Sequence, residues 1–411
     1  MTKLNYLDFK EAIGKSLQVA KTRDLIEFIS IKDGLRRTLS QDIKCIKNMP
    51  SFDNSAMDGY AIKQADAGLE LRVKKIILAG QTVEPCLEDK TCYKIMTGAK
   101  VPSDADSIVP LENIVSSKDD LVLLPKDIKK GSNKRLKGEE QAKGNILLKK
   151  GQKLNSSHIA MLSAQGLTQV EVYKKISIAI ISTGSELKEP WENASEDEIY
   201  NCNSYALISF LESFGFDATY AGVIPDDLEQ TKSYIAKLKN YDVIISSGGI
   251  SLGDADFVES AFRANGLEII FHGINVKPGK PTMVGKMDKS YVLALPGNPL
   301  TAMVNAALFL VPVLNKIQGN LEFHHDFIYA KNKEEFKVKA NRTNVVLGNL
   351  LQGEFIVTRK NKYGSGMLSP LLESNCIVIT GQDKSCIESG VMLKVLMLDT
   401  ILTKNPTNII N

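Results

Sequence analysis

The chain has 411 residues, 43% of them hydrophobic, and a formal net charge of +3 from 51 basic and 48 acidic side chains. That length suits two to four domains of about 100–200 residues each, the apolar content is too high for a disordered chain, and the charge is too even for a general nucleic-acid-binding surface. No run of about 18 apolar residues marks a membrane span, and the N-terminal MTKLNYLDFKEAIGK lacks the apolar core of a signal peptide.

Residues 7–28 read as an amphipathic helix, with Leu7, Ile13, Leu17, Ala20 and Leu25 at near-helical intervals. SFDNSAMDGYAI, 51–62, follows neither a helical nor a strand period, and at twelve residues it is longer than a turn requires. Short β-rich runs (LRVKKIIL, CYKIM, SIVPL, DLVLLP) broken by Gly, Pro and Asp make 50–140 a small inserted β domain. It ends in the basic stretch from Lys126 to Lys137, where Arg135 is the side chain suited to bind an oxyanion with two bonds. SSHIAMLSAQGL turns helical again and stops at Gly166. Residues 1–49 with 141–172 are therefore read as a helical and extended linking domain.

From 173 to 320 strands and helices alternate: KISIAIIS, ATYAGVI, DVIISS and YVLALP as strands, with helices after each. Alternation of this kind predicts a doubly wound, mostly parallel sheet. Residues 321–411 return to short β-rich runs and form a C-terminal β domain. The six cysteines are scattered without a CxxC pair, which predicts free thiols in a reducing cytoplasm. The four histidines (158, 272, 324, 325) lack zinc-ligand spacing.

Ligands of open α/β sheets bind beyond the carboxyl ends of the strands. There the chain places STGSEL (182–187), PDD (225–227), SSGGISLGDAD (246–256) and PGNP (296–299). Gly248 and Gly249 allow close backbone approach, and the helix that starts near Asp254–Asp256 presents free N–H groups to a phosphate. Glu186, Asp226, Asp254 and Asp256 collect on the same edge, where like charges are costly without a cation. One of Asp254 and Asp256 serves as a helix N-cap. Hard oxygen ligands and phosphates together suit Mg²⁺. INVKPGKPTMVG adds Lys277 and Lys280 on a loop stiffened by Pro278 and Pro281.

SFDNSAMDGYA, MTGA (96–99), TGSEL, SSGGISLGDAD, KPGKP, LPGNP and GSGMLSP (364–370) resemble, in order, the molybdopterin molybdenumtransferases, which include MoeA-type enzymes and the E domain of gephyrin. The resemblance implies a central molybdopterin-binding α/β domain, a C-terminal β-barrel domain and an elongated homodimer with each site shared by two subunits. It implies insertion of molybdate into the dithiolene of adenylylated molybdopterin, with Mg²⁺-dependent release of AMP, in the cytoplasm. A molybdopterin adenylyltransferase would act upstream, and molybdoenzymes or their chaperones downstream; no nucleic acid or membrane partner is implied.

By the same resemblance Asp58, Glu186, Asp226 and Asp256 carry the chemistry, the last three as metal ligands. Thr97, Arg135, Glu140, Thr183, Gly184, Ser247, Gly248, Gly249, Lys277, Lys280, Pro296, Pro299 and Ser365 bind substrate. Asp53 and Asn54 fix their loop through backbone hydrogen bonds, and Met57 packs. The chain departs from the family pattern at Ser185, Glu140 and Asn201, where an Asp is usual. The alternatives are a non-catalytic molybdopterin-binding scaffold and a different phosphate-ester hydrolase on the same α/β domain.

Overall fold

The computed structural model describes residues 6–82, 84–224, 227–250 and 257–398. The chain forms two compact units: Met1–Ser40 with Gly151–Asn155 and Gln169–Asn411, and Gln41–Lys150 with Ser156–Thr168.

The smaller unit is built on a six-stranded sheet in the order Ser107–Pro110, Gly59–Ile62, Thr91–Ile95, Glu70–Ile77, Leu121–Leu123, Ser116–Lys118. Strand alternation sends successive side chains to opposite faces. Tyr60, Ile62 and Cys92 thus join one buried cluster, and Ala61, Tyr93 and Ile95 the other. The glycine of MDGYA has a steric cause: a methyl on Gly59 would lie 2.8 Å from the Val109 carbonyl carbon of the adjacent strand, and closer still to its oxygen. The helix Ser156–Ala164 stops two residues before Gly166, whose φ of +79° suits glycine.

In the larger unit a six-stranded sheet carries β1 (Ile178–Thr183), β2 (Ala218–Ile224), β3 (Val243–Ser247), β4 (Leu267–His272), β5 (Met283–Met287) and β6 (Ser290–Leu295). Their spatial order is β2-β1-β3-β6-β5-β4. The first four in that order run parallel, and β5 is antiparallel to both β6 and β4. Both faces are covered. Ile178, Ile180, Val243, Ile245, Leu293 and Leu295 pack into one core, and Ala179, Ile181, Ile244, Val292 and Ala294 into a second. Burial on both sides is why these strands read as unbroken apolar runs.

The crossover helices are α1 (Asn203–Ser213), α2 (Leu228–Lys237) and α3 (Phe257–Ala264). The Asp227 side chain caps α2 by accepting from the Gln230 N–H at 2.9 Å. Asn203 and Ser204, polar residues suited to an N-cap, lie inside α1, and Cys202 takes the cap position without a side-chain bond. After β6 the chain forms α4 (Pro299–Asn305), a π turn over Ala306–Leu310 and α5 (Val311–Ile317). This is the one helix among the described residues long and apolar enough to cross a membrane, and nearly all of it is buried within the protein.

The N-terminal helix is shorter than its pattern predicts. It spans Phe9–Val19 behind an Asp8 cap that accepts from the Lys10 and Glu11 N–H groups, and a strand follows at Ile26–Ser30. Leu25, part of the apparent apolar period, is exposed. At the other end of the chain Thr343–Leu351, Glu354–Val357, Ile328–Asn332, Met392–Met397 and Cys376–Thr380 pair in that order. The last returns to the first, closing a five-stranded barrel.

Candidate functional site

In the smaller unit, the loop that opens the SFDNSAMDGYA motif is held by its own acids. The Asp53 carboxylate accepts from the Lys137 backbone N–H at 2.8 Å and pairs with Lys134 at 2.9 Å. These contacts, the backbone bond first, lower its pKa below the ordinary Asp value. Asn54 pairs through its backbone with Arg135, and Ser55 with Lys134. Met57, expected to pack, is 37% exposed. Asp58 is exposed, and its Oδ1 accepts from the Thr97 N–H at 2.6 Å and the Thr97 hydroxyl at 2.8 Å. These bonds, the backbone N–H foremost, hold the Asp58 carboxyl below its usual range, while Oδ2 takes no part in either. Arg135 and Glu140 are exposed on the same unit, and no ion pair of either is present among the described residues.

In the larger unit the strand-end loops enclose a cavity of about 620 Å³. Thr183 ends β1 and Glu186 follows it, Ser247 ends β3 and Gly248 and Gly249 follow it, and Pro296 and Pro299 follow β6, all on its wall. Gly184 has φ +138° beneath the Glu186 carboxylate, where a methyl would come within 2.6 Å of Oε2. Gly248 and Gly249 have φ of +90° and +65°, and a methyl on either would press on the Thr183 side chain. Only glycine keeps these backbone groups open to a ligand. Asn203 clamps two of the loops, its Nδ2 donating to Ser247 Oγ at 2.8 Å and to the Gly297 carbonyl at 2.7 Å. His272 also braces the loop after β3: Nδ1 meets Glu259 of α3 at 2.8 Å and Nε2 meets the Ile250 carbonyl at 3.3 Å.

Asn201, one of the departures, lies on the cavity wall and is 1% exposed. Its Oδ1 accepts from Ser182 Oγ and its Nδ2 donates to the Tyr220 hydroxyl at 2.8 Å. Glu189 accepts from the same Tyr220 hydroxyl and from that of Tyr205. An amide at 201 therefore avoids burying a second carboxylate beside the half-buried Glu189. Burial and Glu189 together push the Tyr205 hydroxyl up to about 12.

A second cavity, of about 360 Å³, shares Pro281, Pro296 and Asn298 with the first. Lys277, Lys280 and Arg342 line it, together with Ser365, and among the described residues no carboxylate does. Among the described residues none of the three cations forms an ion pair. Asn298 Nδ2 donates to Ser365 Oγ at 3.0 Å, joining the LPGNP turn to the GSGM segment. Three cations facing a space without an anion have the chemistry of an oxyanion site.

Of the expected acidic set, Glu186 is placed on the larger cavity, while Asp226, Asp254 and Asp256 lie outside the described residues. Among the described residues no cluster of three or more His, Cys, Asp or Glu could hold a metal ion. Mg²⁺ is commonly held by one or two carboxylates and substrate phosphates, so Glu186 beside a glycine loop is compatible with such an ion. Arg342 and Asn203 escaped the sequence reading. Arg342 sits in no recognisable motif, and Asn203 stands at the start of α1 and not in a strand-end loop.

The regions match known families. Residues 7–166 match the MoeA N-terminal region (domain I and II), 179–316 a probable molybdopterin binding domain, and 329–398 the MoeA C-terminal region (domain IV). A molybdopterin molybdenumtransferase of Haemophilus influenzae is 30% identical over 394 residues, covering 93% of this chain and 96% of its own. One of Staphylococcus aureus is 29% identical over 409 residues, 97% of each chain. The crystal structure of a molybdopterin biosynthesis MoeA protein from Pyrococcus horikoshii superposes with a TM-score of 0.83 at 27% identity, over 95% of this chain and all of that one. Matches of this length and order, on a fold with the expected α/β domain and closed barrel, make the chain a member of the molybdopterin molybdenumtransferase family, enzymes of molybdenum cofactor biosynthesis.

Proposed function

We propose that the enzyme takes adenylylated molybdopterin and molybdate, inserts the metal into the dithiolene and releases AMP. The observation that carries this reading is the pair of adjoining cavities, one walled by a glycine loop suited to phosphate, the other lined by three cations and, among the described residues, no acid. The glycine loop and Asn203 would seat the phosphates. Lys277, Lys280 and Arg342 would hold the molybdate dianion. Joining two dithiolate sulfurs to molybdate displaces one oxo oxygen, which leaves as water after taking up two protons. Water cleaves the phosphoanhydride to give AMP and the pterin phosphate. Asp58 is held ionised by Thr97, so it serves to orient or accept a proton rather than to donate one. A Mg²⁺ ion held by Glu186, with Asp226 and Asp256, would polarise the phosphoanhydride when bound.

The same reading includes a cytoplasmic homodimer, with Asp58 acting on substrate held by the partner copy. It also places the enzyme after an adenylyltransferase and before molybdoenzymes or their chaperones. Mixing inactive Asp58→Asn and Glu186→Gln proteins tests the dimer, because each mixed dimer regains one intact site; no regain refutes cross-subunit action.

The deciding experiment incubates the protein with adenylylated molybdopterin, Mg²⁺ and molybdate, and follows AMP and pterin-bound molybdenum together. Equal rises in both are expected. Binding of the pterin without either product would refute turnover and favour a scaffold.

A further inference from the structure

Tyr6 belongs to a segment that runs beside the KPGKP loop. Leu7 donates its N–H to the Gly273 carbonyl at 3.1 Å and accepts from the Asn275 N–H at 2.8 Å. Tyr6 therefore lies over Gly273, whose φ is +95° and where a methyl group would fall 2.8 Å from the Tyr6 ring. The missing side chain at 273 admits the ring. On the ring's face sits the Lys280 ammonium, 3.9 Å from the centroid. Lys280 itself is anchored, because its carbonyl accepts from the Ile274 N–H at 2.8 Å.

A lysine at an anion site poses a conflict. Its long stem must be held in one arrangement, yet the usual partner, a carboxylate, would cancel the charge the anion needs. An aromatic face resolves this. The ring quadrupole attracts the cation without neutralising it, and the remaining N–H groups of the ammonium stay available.

We propose that Tyr6 is a positioning residue for the oxyanion: its ring face fixes the Lys280 ammonium on the cavity that also presents Lys277 and Arg342. The inference rests on reading that cavity as the molybdate site. It requires the ring and not the hydroxyl. Tyr6→Phe keeps the interaction, whereas Tyr6→Leu keeps apolar contact with Gly273 and loses the quadrupole. The loss should weaken anion binding about threefold to tenfold, the range of a partly exposed cation–π contact.

The test is calorimetric titration of sodium molybdate into the full chain. Wild type, Tyr6→Phe, Tyr6→Leu, Tyr6→Met, Lys280→Gln and the Tyr6→Leu/Lys280→Gln double variant are compared, with thermal midpoints checked for each. Tyr6→Phe should bind within about twofold of wild type, and Leu and Met variants about threefold to tenfold more weakly. The double variant should be no weaker than Lys280→Gln alone, because the two residues act as one. In turnover, Tyr6→Leu should raise the molybdate KM and leave kcat at saturating molybdate unchanged. Should Tyr6→Leu lower its thermal midpoint, the Met variant and the KM against kcat comparison still decide. Equal binding by wild type and the Leu and Met variants, or independent losses in the double variant, would overturn the role of Tyr6 while leaving the anion site standing. No molybdate binding by the wild type would overturn the anion reading and Tyr6's role with it.

Discussion

Gly279 is the residue on which the cation loop turns. Its φ is +118°, and a methyl there would lie 2.6 Å from Asn305 Oδ1 and closer still to Nδ2. Asn305 cannot retreat. It is fully buried on α4, and its Nδ2 donates to Thr282 Oγ1 at 2.6 Å. Gly279→Ala therefore adds two costs: backbone strain of about 1–3 kcal/mol outside the regions open to L-residues, and overpacking of about 1–3 kcal/mol. The sum, about 2–6 kcal/mol, is a large share of a typical stability of about 5–15 kcal/mol. It should lower the melting of the larger unit on the order of 10 °C. A double-mutant cycle separates the two costs. Asn305→Ala removes the obstruction, so the double variant should recover about 1–3 kcal/mol relative to additivity. The assay is calorimetric unfolding of all four proteins with molybdate omitted. A Gly279→Ala protein melting within about 2 °C of wild type, or strict additivity in the cycle, would refute the steric account of this loop.

Three other outcomes are expected. Asp58→Asn keeps an oxygen for both Thr97 bonds and removes only the charge, so turnover should fall about 10²–10⁴-fold at an unchanged melting temperature; full activity would remove Asp58 from the chemistry. Gly59→Ala should destabilise the smaller unit by about 1–3 kcal/mol, because the obstacle is the Val109 backbone carbonyl and not a side chain that can swing aside; protease cleavage within 41–150 reports it. Lys153 is desolvated, with Arg36 nearby, and its pKa is pushed down to about 8. Between that value and the ordinary lysine value near 10.4 the unfolded chain binds the extra proton, so wild-type stability should rise with pH through this window. Urea unfolding at about pH 7.5 and 9.5 should show that rise shrink in Lys153→Met; an equal pH response in both proteins would exclude Lys153 as its source.

The strands β1, β3 and β6 were legible because both their faces are buried, leaving apolar runs that turn signals punctuate. β4 and β5 were not, since the same stretch carries the KPGKP loop, whose Pro and Gly residues dominate any local reading. A chance apolar spacing through Leu25 extends the helical pattern beyond the cap-to-cap span of Phe9–Val19, so the helix is shorter than its sequence suggests. The cavity at the strand ends was legible from Gly248, Gly249 and Glu186. The cation-lined cavity was half legible: Lys277 and Lys280 share a motif, whereas Arg342 arrives from the barrel, about 60 residues later in the chain, by a tertiary placement no local pattern encodes. Asn201 looked like a missing acid. Its partners show an amide used on both ends, which only the neighbouring Tyr220 and Ser182 reveal.

Pro281, Pro296 and Asn298 form a wall common to both cavities, and Asn298 is tied to Ser365 across it. A wall built from two prolines and a bonded amide deforms little, so occupants on its two sides bear on one another through the same few atoms. Thermodynamic linkage then makes the effect mutual: whatever factor an occupied larger cavity applies to affinity in the smaller one, the smaller returns in equal measure. Linkage of this kind imposes no order of loading by itself. The order in which two ligands arrive becomes a matter of their concentrations, and the rigidity of three residues sets how strongly each arrival is felt by the other.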